Sequence, residues 1–570
     1  MNIRYQYEYV TSLLKRYGFR GLVFKTLERM HSPMLAYTDR YVQFLPSKEE
    51  LEEQKKTSFS YAPLISIVVP AYETPEVYLR ELIGTVQAQT YTNWELCLAD
   101  GSKSRQVAQI AEEYAKTDKR IRYQKLLHNG GISENTNEGF QMASGAYIAL
   151  MDHDDLLSEN ALYEMVKCLN ERYLPEERKM AMIYSDEDKI NGDGSVYSRP
   201  HFKPDFNLEF LRHNNYFCHF LMFSTELLQK AGGLNKEYDG AQDYDFVLRC
   251  VDAGALVKHI PKILYHWRIH EGSTAGNSAD KAYAFDNGCR AIEAHLKRAN
   301  EAGSAAVTAN LGVYHIQYRL QGTYQVTVVS ESKRELSRIR EYYEKQTAHR
   351  EYQLQIRYLY ADTFDGDVER SCEGDYILYV KKGIKVKPQG LIETLLGYCG
   401  HEHTAIVGAK ILTKKGKVSS CGMTYDKKAG MIPLCGGLRA EYKGYFLHAV
   451  IPKSVSVLPL ACVMIKKDAF LHAGGFSKNY HGIYRDADLC FRLRELSYQI
   501  LVVPDIVATE ESDGSTENGI VIREDTKDGM KMRMEREQFA EQYKKQLLQD
   551  DFAYNCNLSL QQGNTYAMKE

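Results

Sequence analysis

From residue 64 to Asp155 the chain alternates strand-sized apolar runs with stretches of helical period, and few folds satisfy that alternation. Residues 64–69 read as a buried strand, apolar but for Ser66, stopped by Pro70. Leu79, Leu82, Ile83 and Val86 then recur at helical spacing. Residues 94–99 repeat the strand signal and end at Asp100-Gly101-Ser102. Val107, Ile110, Ala111 and Tyr114 predict a helix, residues 121–123 a short strand, 132–143 another helix and 147–151 a fourth strand. Strands alternating with helices predict an α/β fold with a doubly wound, mostly parallel sheet. Ligands of such sheets bind beyond the carboxyl ends of the strands. Asp100 and the run Asp152-His153-Asp154-Asp155 both fall there, on separate strands.

The second half echoes the first. Gly145-Ala146-Tyr147-Ile148 returns as Gly374-Asp375-Tyr376-Ile377, and Ala231-Gly232-Gly233-Leu234 as Ala473-Gly474-Gly475-Phe476. Asp243-Tyr244-Asp245-Phe246-Val247-Leu248-Arg249 returns as Asp486-Ala487-Asp488-Leu489-Cys490-Phe491-Arg492. Three matches in order at similar offsets predict a duplicated domain, which suits 570 residues, too many for one core. The expected divisions are a basic amphipathic segment and charged linker over 1–60, a first domain over 61–275, a connecting helix over 276–310, a second domain over 311–525 and a solvated helix and tail over 526–570.

Charge and cysteine usage exclude several classes. A formal charge of -3 offers no footprint for nucleic acid. Twelve cysteines without CxxC pairs predict reduced core thiols rather than a disulfide framework or zinc site. The longest apolar runs are strand-sized, so neither a membrane-spanning helix nor a signal peptide is expected. No Walker A sequence, GxGxxG or HExxH occurs. Residues 1–30 carry six basic side chains against two acidic ones, interleaved with Leu13, Leu14, Tyr17, Leu22, Val23, Phe24 and Leu27. Such a segment either lies on an anionic membrane surface or packs on the domain that follows.

Three aspartates in four positions exceed what a helix cap needs, and they repel one another unless a cation sits among them. Hard divalent cations such as Mg²⁺ or Mn²⁺ take oxygen ligands and share them with substrate phosphates. Asp154 is therefore read as a metal ligand and Asp155 as a helix cap. Ser185-Asp186-Glu187-Asp188 is a second acidic cluster, either a contact to sugar or acceptor or an exposed turn before Asn191-Gly192.

Ser66-Ile67-Val68-Val69-Pro70-Ala71-Tyr72, Leu98-Ala99-Asp100-Gly101-Ser102, Asn129-Gly130-Gly131-Ile132-Ser133 and Asp152-His153-Asp154-Asp155 resemble family 2 glycosyltransferases of the GT-A fold. Gly240-Ala241-Gln242-Asp243-Tyr244-Asp245 and Tyr265-His266-Trp267-Arg268-Ile269-His270-Glu271-Gly272-Ser273-Thr274 resemble that family's later motifs. The likeness runs in order over residues 64–275 and is strongest to bacterial two-domain members, often called rhamnosyltransferases, that build surface polysaccharides. It implies an inverting, metal-dependent hexosyl- or rhamnosyltransferase using Mg²⁺ or Mn²⁺. Its partners would be a nucleotide-sugar donor and a lipid-linked glycan acceptor, at the cytoplasmic face of a membrane it touches peripherally.

Carried over by position, Pro70, Ala71 and Tyr72 match the loop that holds the nucleotide base and Asp100 the acid that bonds it. Asp152 and Asp154 match the DxD pair, with Asp154 on the metal. Asp243 matches the catalytic base, and His266 the histidine that helps hold metal or diphosphate, with His270 its rival. Asp243 has a plainer reading as the cap of its helix, and His266 as a core histidine. Ala99, Glu73 and Gln242 depart from the family's usual Asp, Asn and Glu, and the first two leave the nucleotide open. In the second copy Lys381, Lys382 and Gly383 stand where Asp152, His153 and Asp154 stand in the first. With no counterpart of Asp100-Gly101-Ser102 apparent, a degenerate GT-A-like domain is expected. The alternative for the whole chain is a non-catalytic sugar-nucleotide- or glycan-binding scaffold.

Overall fold

A computed structural model describes residues 37–270, 282–346, 352–364, 366–426, 430–511, 527–560 and 566–569. The basic segment at 1–30 and the motif residues 271–274 lie outside them. The first half folds around a nine-stranded sheet. Its strands are β1 (Ile65–Ala71), β2 (Trp94–Asp100), β3 (Ile121–Lys125), β4 (Tyr147–Leu150), β5 (Leu156–Leu157), β6 (Ala181–Asn191), β7 (Tyr197–His201), β8 (Leu221–Ser224) and β9 (Leu256–Ile269). The order is β3-β2-β1-β4-β8-β6-β9-β5, with β7 on β6. β1 is parallel to both β2 and β4, and β6 to β9, whereas β8 runs antiparallel to β4 and β6. This is the mostly parallel α/β sheet that the alternation implied, with antiparallel strands mixed in.

All seven residues of β1 and of β2 are buried, because helices cover both faces of the sheet. Leu79, Leu82, Ile83 and Val86 of the helix Glu76–Gln87 pack on one face; Phe140 of the helix Ile132–Met142 and Phe246 of the helix Gln242–Asp252 pack on the other.

After the helix Ala282–Arg298, a hairpin of β10 (Gly303–Val307) and β11 (Tyr314–Tyr318) leads to a second nine-stranded sheet. That sheet holds β12 (Gly322–Ser330), β13 (Tyr352–Tyr360), β14 (Tyr376–Val380), β15 (Ile384–Val386), β16 (Thr404–Leu412), β17 (Val418–Ser420), β20 (Lys453–Ser454), β21 (Cys462–Lys466) and β22 (Gln499–Glu510). The strands β18 (Met423–Asp426) and β19 (Gly430–Pro433) form a separate hairpin. The order β13-β12-β14-β21-β16-β22-β15 repeats β2-β1-β4-β8-β6-β9-β5 with the same directions at each pairing. No counterpart of β3 is present among the described residues.

The sequence echoes are architectural. At Gly145 a Cβ would come within 2.6 Å of the Leu64 carbonyl, and at Gly374 within 2.7 Å of the Gln325 carbonyl, so each repeat starts its fourth-strand segment against backbone. Arg249 donates to Asp245 (2.9 Å) and to the carbonyls of Ala231 and Gly233. Arg492 makes the same bonds to Asp488, Ala473 and Gly475.

Two boundary expectations are corrected. The charged run expected as a linker is a helix, Lys48–Lys56, because Ser47 and Glu50 close a capping box. The terminal segment is not a solvated tail. Phe539 of the helix Lys527–Gln542 is fully buried in the second core, and Tyr554, Leu558, Tyr566 and Met568 are buried beyond it. Phe552 and Asn557 reach back to the first domain through Asp205 and Pro261. Among the described residues no helix is long and apolar enough to cross a membrane.

Phe539→Ala should remove about 3–5 kcal/mol from the second domain's stability, as expected for an emptied aromatic site. A thermal transition of that domain unmoved by the substitution would show that the terminal helix is not part of its core.

Candidate functional site

The carboxyl ends of β1, β2 and β4 sit side by side, since β1 pairs in parallel with both neighbours. Pro70 and Ala71 end β1 buried, Tyr72 is exposed at the rim, and the Ala71 carbonyl accepts from Gly101 N–H at 2.9 Å. Asp100 is wholly buried. One of its oxygens accepts from Ser102 N–H (2.8 Å), and the other from the Tyr123 hydroxyl (2.9 Å) and Lys125 (3.2 Å). Glu73, in the left-handed region at φ 48°, accepts from Lys103 and Ser104 N–H, fixing the adjoining turn. Any bond from Asp100 to a base would therefore use a lone pair beyond those already engaged.

β4 delivers the aspartate run into the same edge. Asp152 is surrounded by protein yet keeps 47% of its side chain open to the cleft. Desolvation raises its pKa, and Asp154 and Asp243 add repulsion that His219, 3.9 Å away, partly offsets. Asp154 accepts from His270 Nε2 at 2.7 Å. Asp243 opens the helix Gln242–Asp252 without capping it; its Oδ2 accepts from Asn215 (3.0 Å) and from the Cys218 thiol (2.8 Å). Burial and the Asp243 charge push the Cys218 thiol well up, so it stays a neutral donor. Asp243 Oδ1 has no protein partner among the described residues. His153 Nδ1 and Asn215 Oδ1 are buried without a partner in the same neighbourhood.

Three expectations change. His266 is 4% exposed and both ring nitrogens are engaged, Nδ1 with Asp188 (2.6 Å) and Nε2 with Ser158 (3.1 Å). The place beside Asp154 belongs to His270. His266 lies inside β9, level with Asp188 of β6 and Leu156 of β5, whereas His270 follows the strand's end. Asp155 caps no helix: β5 follows it, and its carboxylate accepts from the Tyr265 hydroxyl (2.5 Å) and Arg268 N–H (2.7 Å), clamping β9 to the loop. Asp186, Glu187 and Asp188 form no exposed turn but lie inside β6, each buried and paired. Sequence reasoning missed Asn215, Cys218 and His219, which belong to no motif and reach the site only through the loop after the helix Leu208–His213.

In the second domain the register sets Asp362 level with Asp100, a counterpart the sequence did not reveal. Asp362 is exposed and accepts from Tyr360 at 2.5 Å. Phe364, at the level of Ser102, is buried against Tyr379 and Phe470. Lys381-Lys382-Gly383 does join β14 to β15, as residues 151–155 join β4 to β5. Asp486 is 5% exposed and accepts from Leu460 N–H at 2.9 Å.

Among the described residues no three His, Cys, Asp or Glu side chains converge to hold a metal ion. Asp154 and His270, with Asp152 open beside them, still fit a hard divalent cation. Such an ion takes one or two protein ligands and completes its shell with substrate phosphate and water. The mutual repulsion of the three acids is the feature a cation relieves.

Residues 66–232 match the model of the family described as glycosyl transferase family 2. The chain is 30% identical to the uncharacterized protein y4gI of Sinorhizobium fredii over 88% of its own length and 58% of that protein. It is 27% identical to the O-antigen biosynthesis protein RfbC of Myxococcus xanthus over 80% of its length and 38% of that protein. It thus spans about half the length of these curated relatives. A mannosyltransferase of Pyrobaculum calidifontis, solved with GDP-Man and Mn²⁺, superposes with a TM-score of 0.32 at 15% identity, covering 49% of this chain and 74% of that one.

His266→Ala should cost about 1–3 kcal/mol by leaving Asp188 short of a buried donor, whereas His270→Ala, at a site with 23% of the side chain exposed, should cost less. Equal melting losses for the two variants would refute the division of their roles.

Proposed function

We propose, from the premise that the first domain of this chain belongs to glycosyl transferase family 2, that it transfers a sugar from a nucleotide-diphosphate donor to a hydroxyl with inversion. The observation that carries this reading is Asp243, whose Oδ2 is held by Asn215 and Cys218 while Oδ1 is left free in the cleft it shares with Asp152. A pinned carboxylate with one open oxygen suits a general base for an acceptor hydroxyl. Asp152 and Asp154 would face the donor's diphosphate, with Pro70, Ala71, Tyr72 and Asp100 at the nucleotide end. Asp154 and His270 would hold Mg²⁺ or Mn²⁺, which when bound neutralises charge on the leaving diphosphate. A single base opposite the leaving group gives direct displacement and an inverted anomeric centre.

The acceptor we favour is a growing, lipid-linked cell-surface glycan. This follows the likeness to two-domain polysaccharide enzymes and the name carried by the Myxococcus relative. The basic residues at 1–30 would then contact the cytoplasmic membrane surface peripherally. The second domain would be non-catalytic, because Lys381 and Lys382 cannot supply carboxylate ligands and Asp486 is committed to backbone. Donor sugar, hexose or rhamnose, is the variable to be read by experiment.

A thermal-shift panel of sugar nucleotides with and without Mn²⁺ should single out one donor, since a bound ligand stabilises the folded state by mass action. Asp154→Ala should abolish its metal-dependent shift. Asp243→Asn should keep the shift and lose about 10²-fold or more in transfer, with wild-type product inverted at the anomeric carbon. Normal turnover by Asp243→Asn, or full activity in EDTA, contradicts the mechanism.

Flotation with anionic liposomes should carry the full chain but not one starting near Tyr61, and the association should weaken with salt. Failure of both to float removes the membrane contact.

A further inference from the structure

The two domains enclose a cavity of about 210 Å³ that the proposed transfer does not use. Phe206, Asn207 and Leu208 line it from the first domain, Arg494, Tyr498 and Gln499 from the second, and Phe552 from the terminal segment. At ~30 Å³ per water the space holds about seven waters. That is the bulk of one sugar ring and too small for a nucleotide.

Arg494 is the one charged residue in the cavity's lining. The Arg494 guanidinium lies 4.6 Å from the Phe552 ring and 5.7 Å from that of Phe491. It has no hydrogen bond and no ion pair among the described residues. The acid nearest in effect is Asp551, which is already committed to Thr424 (2.6 Å), Ser456 (2.5 Å) and Ala553 N–H (2.9 Å). A guanidinium whose N–H groups meet no protein acceptor among the described residues suits a carboxylate or phosphate, which its planar fork matches. The Tyr498 hydroxyl and the Gln499 amide nitrogen likewise have no protein partner among the described residues, whereas Asn207 spends its side chain on Ser454 and Phe210. Aromatic walls with open hydrogen-bonding groups suit a sugar ring.

The position relates this cavity to the transfer site. Phe206 and the N-cap Asn207 lead into the helix Leu208–His213, and Asn215 and Cys218, which hold Asp243, follow its end. Six residues at 1.5 Å each separate the two by about 9 Å along the helix. We infer that this junction is a glycan subsite for an anionic sugar unit, one bearing a carboxylate or a phosphate, upstream of the residue being extended. The inference takes from the proposed function only that the ligand is a glycan; the anion site is read from the cavity.

Saturation-transfer NMR on the full chain, without donor, tests it with glucuronate, glucose 1-phosphate and glucose as probes. At least one acidic probe should bind about ten-fold more tightly than glucose, and which one does identifies the anion. Arg494→Gln should erase that preference while leaving donor-dependent thermal shifts unchanged, and Asp243→Asn should retain it. Should Arg494→Gln fail to fold, the pair Tyr498→Phe and Gln499→Ala, which leaves the cation in place, is expected to weaken acidic-probe binding three-fold or more. No preference for acid over neutral sugar, or a preference indifferent to these variants, overturns the subsite. A lost subsite with intact transfer leaves the catalytic reading standing; lost transfer with intact probe binding does the reverse.

Discussion

Three consecutive carboxylates buried in one strand set the terms for the rest of the first domain. Each ionised acid in β6 carries a desolvation cost of several kcal/mol unless a donor meets it. Asp186 accepts from His259 (2.8 Å), Lys203 N–H (2.8 Å) and Asn555 (2.9 Å). Glu187 takes Lys189 (2.7 Å) and Lys203 (3.1 Å); burial alone would raise its pKa, and the two ammonium groups hold it well below the carboxylate range instead. Asp188 takes His266 and Tyr37, both at 2.6 Å. His259 shows the reciprocal effect: burial pushes it down, and Asp186 with Asp205 lifts it above its ordinary value. These donors come from the start of the described chain, β6 itself, β9, the segment after β7 and the far terminus. The network also reaches the cleft, because Glu187 accepts the backbone N–H of His219, whose ring faces Asp152.

That network explains much of what could and could not be read from the sequence. β1, β2 and β4 were legible because burial on both faces writes a mostly apolar run, broken only by Ser66 and Glu95, and their ends carry Asp100, Asp152 and Asp154. Asp243 was legible from its motif. Ser185-Asp186-Glu187-Asp188 was not: polarity reads as exposure when the compensating Lys203, His259 and Asn555 are far away in sequence. His266 and His270 are four residues apart in one motif, and the pairing of β9 with β6, which sets His266 beside Asp188, shows which is sequestered. Asp362 was hidden because its neighbours Thr363 and Phe364 share nothing with Gly101 and Ser102, although hydrogen-bond register sets them level.

The two domains separate architecture from chemistry. Both keep the aspartate–arginine clamp that ties a helix to the Ala-Gly-Gly turn, and both keep the glycine that lets the fourth-strand segment close against backbone. The site positions differ: Lys381 and Gly383 for the aspartate pair, Phe364 packed at the level of a serine, and Asp486 turned to a backbone N–H. Such positions change without disturbing the sheet, which is why a copy can lose its acids and stay folded.

The bond from Asn555 to Asp186 spans 369 residues and has a consequence in time. A chain made at about 5–20 residues per second needs some 20–70 s after Asp186 emerges before Asn555 exists. For that interval Asp186 relies on His259 and Lys203 alone, and the groove that receives the terminal segment lies bare. The first domain is thus synthesised early and finished late. A ribosome that stalls anywhere in the second domain leaves behind a first domain short of its last strap, exposed to proteases that act on unfinished chains.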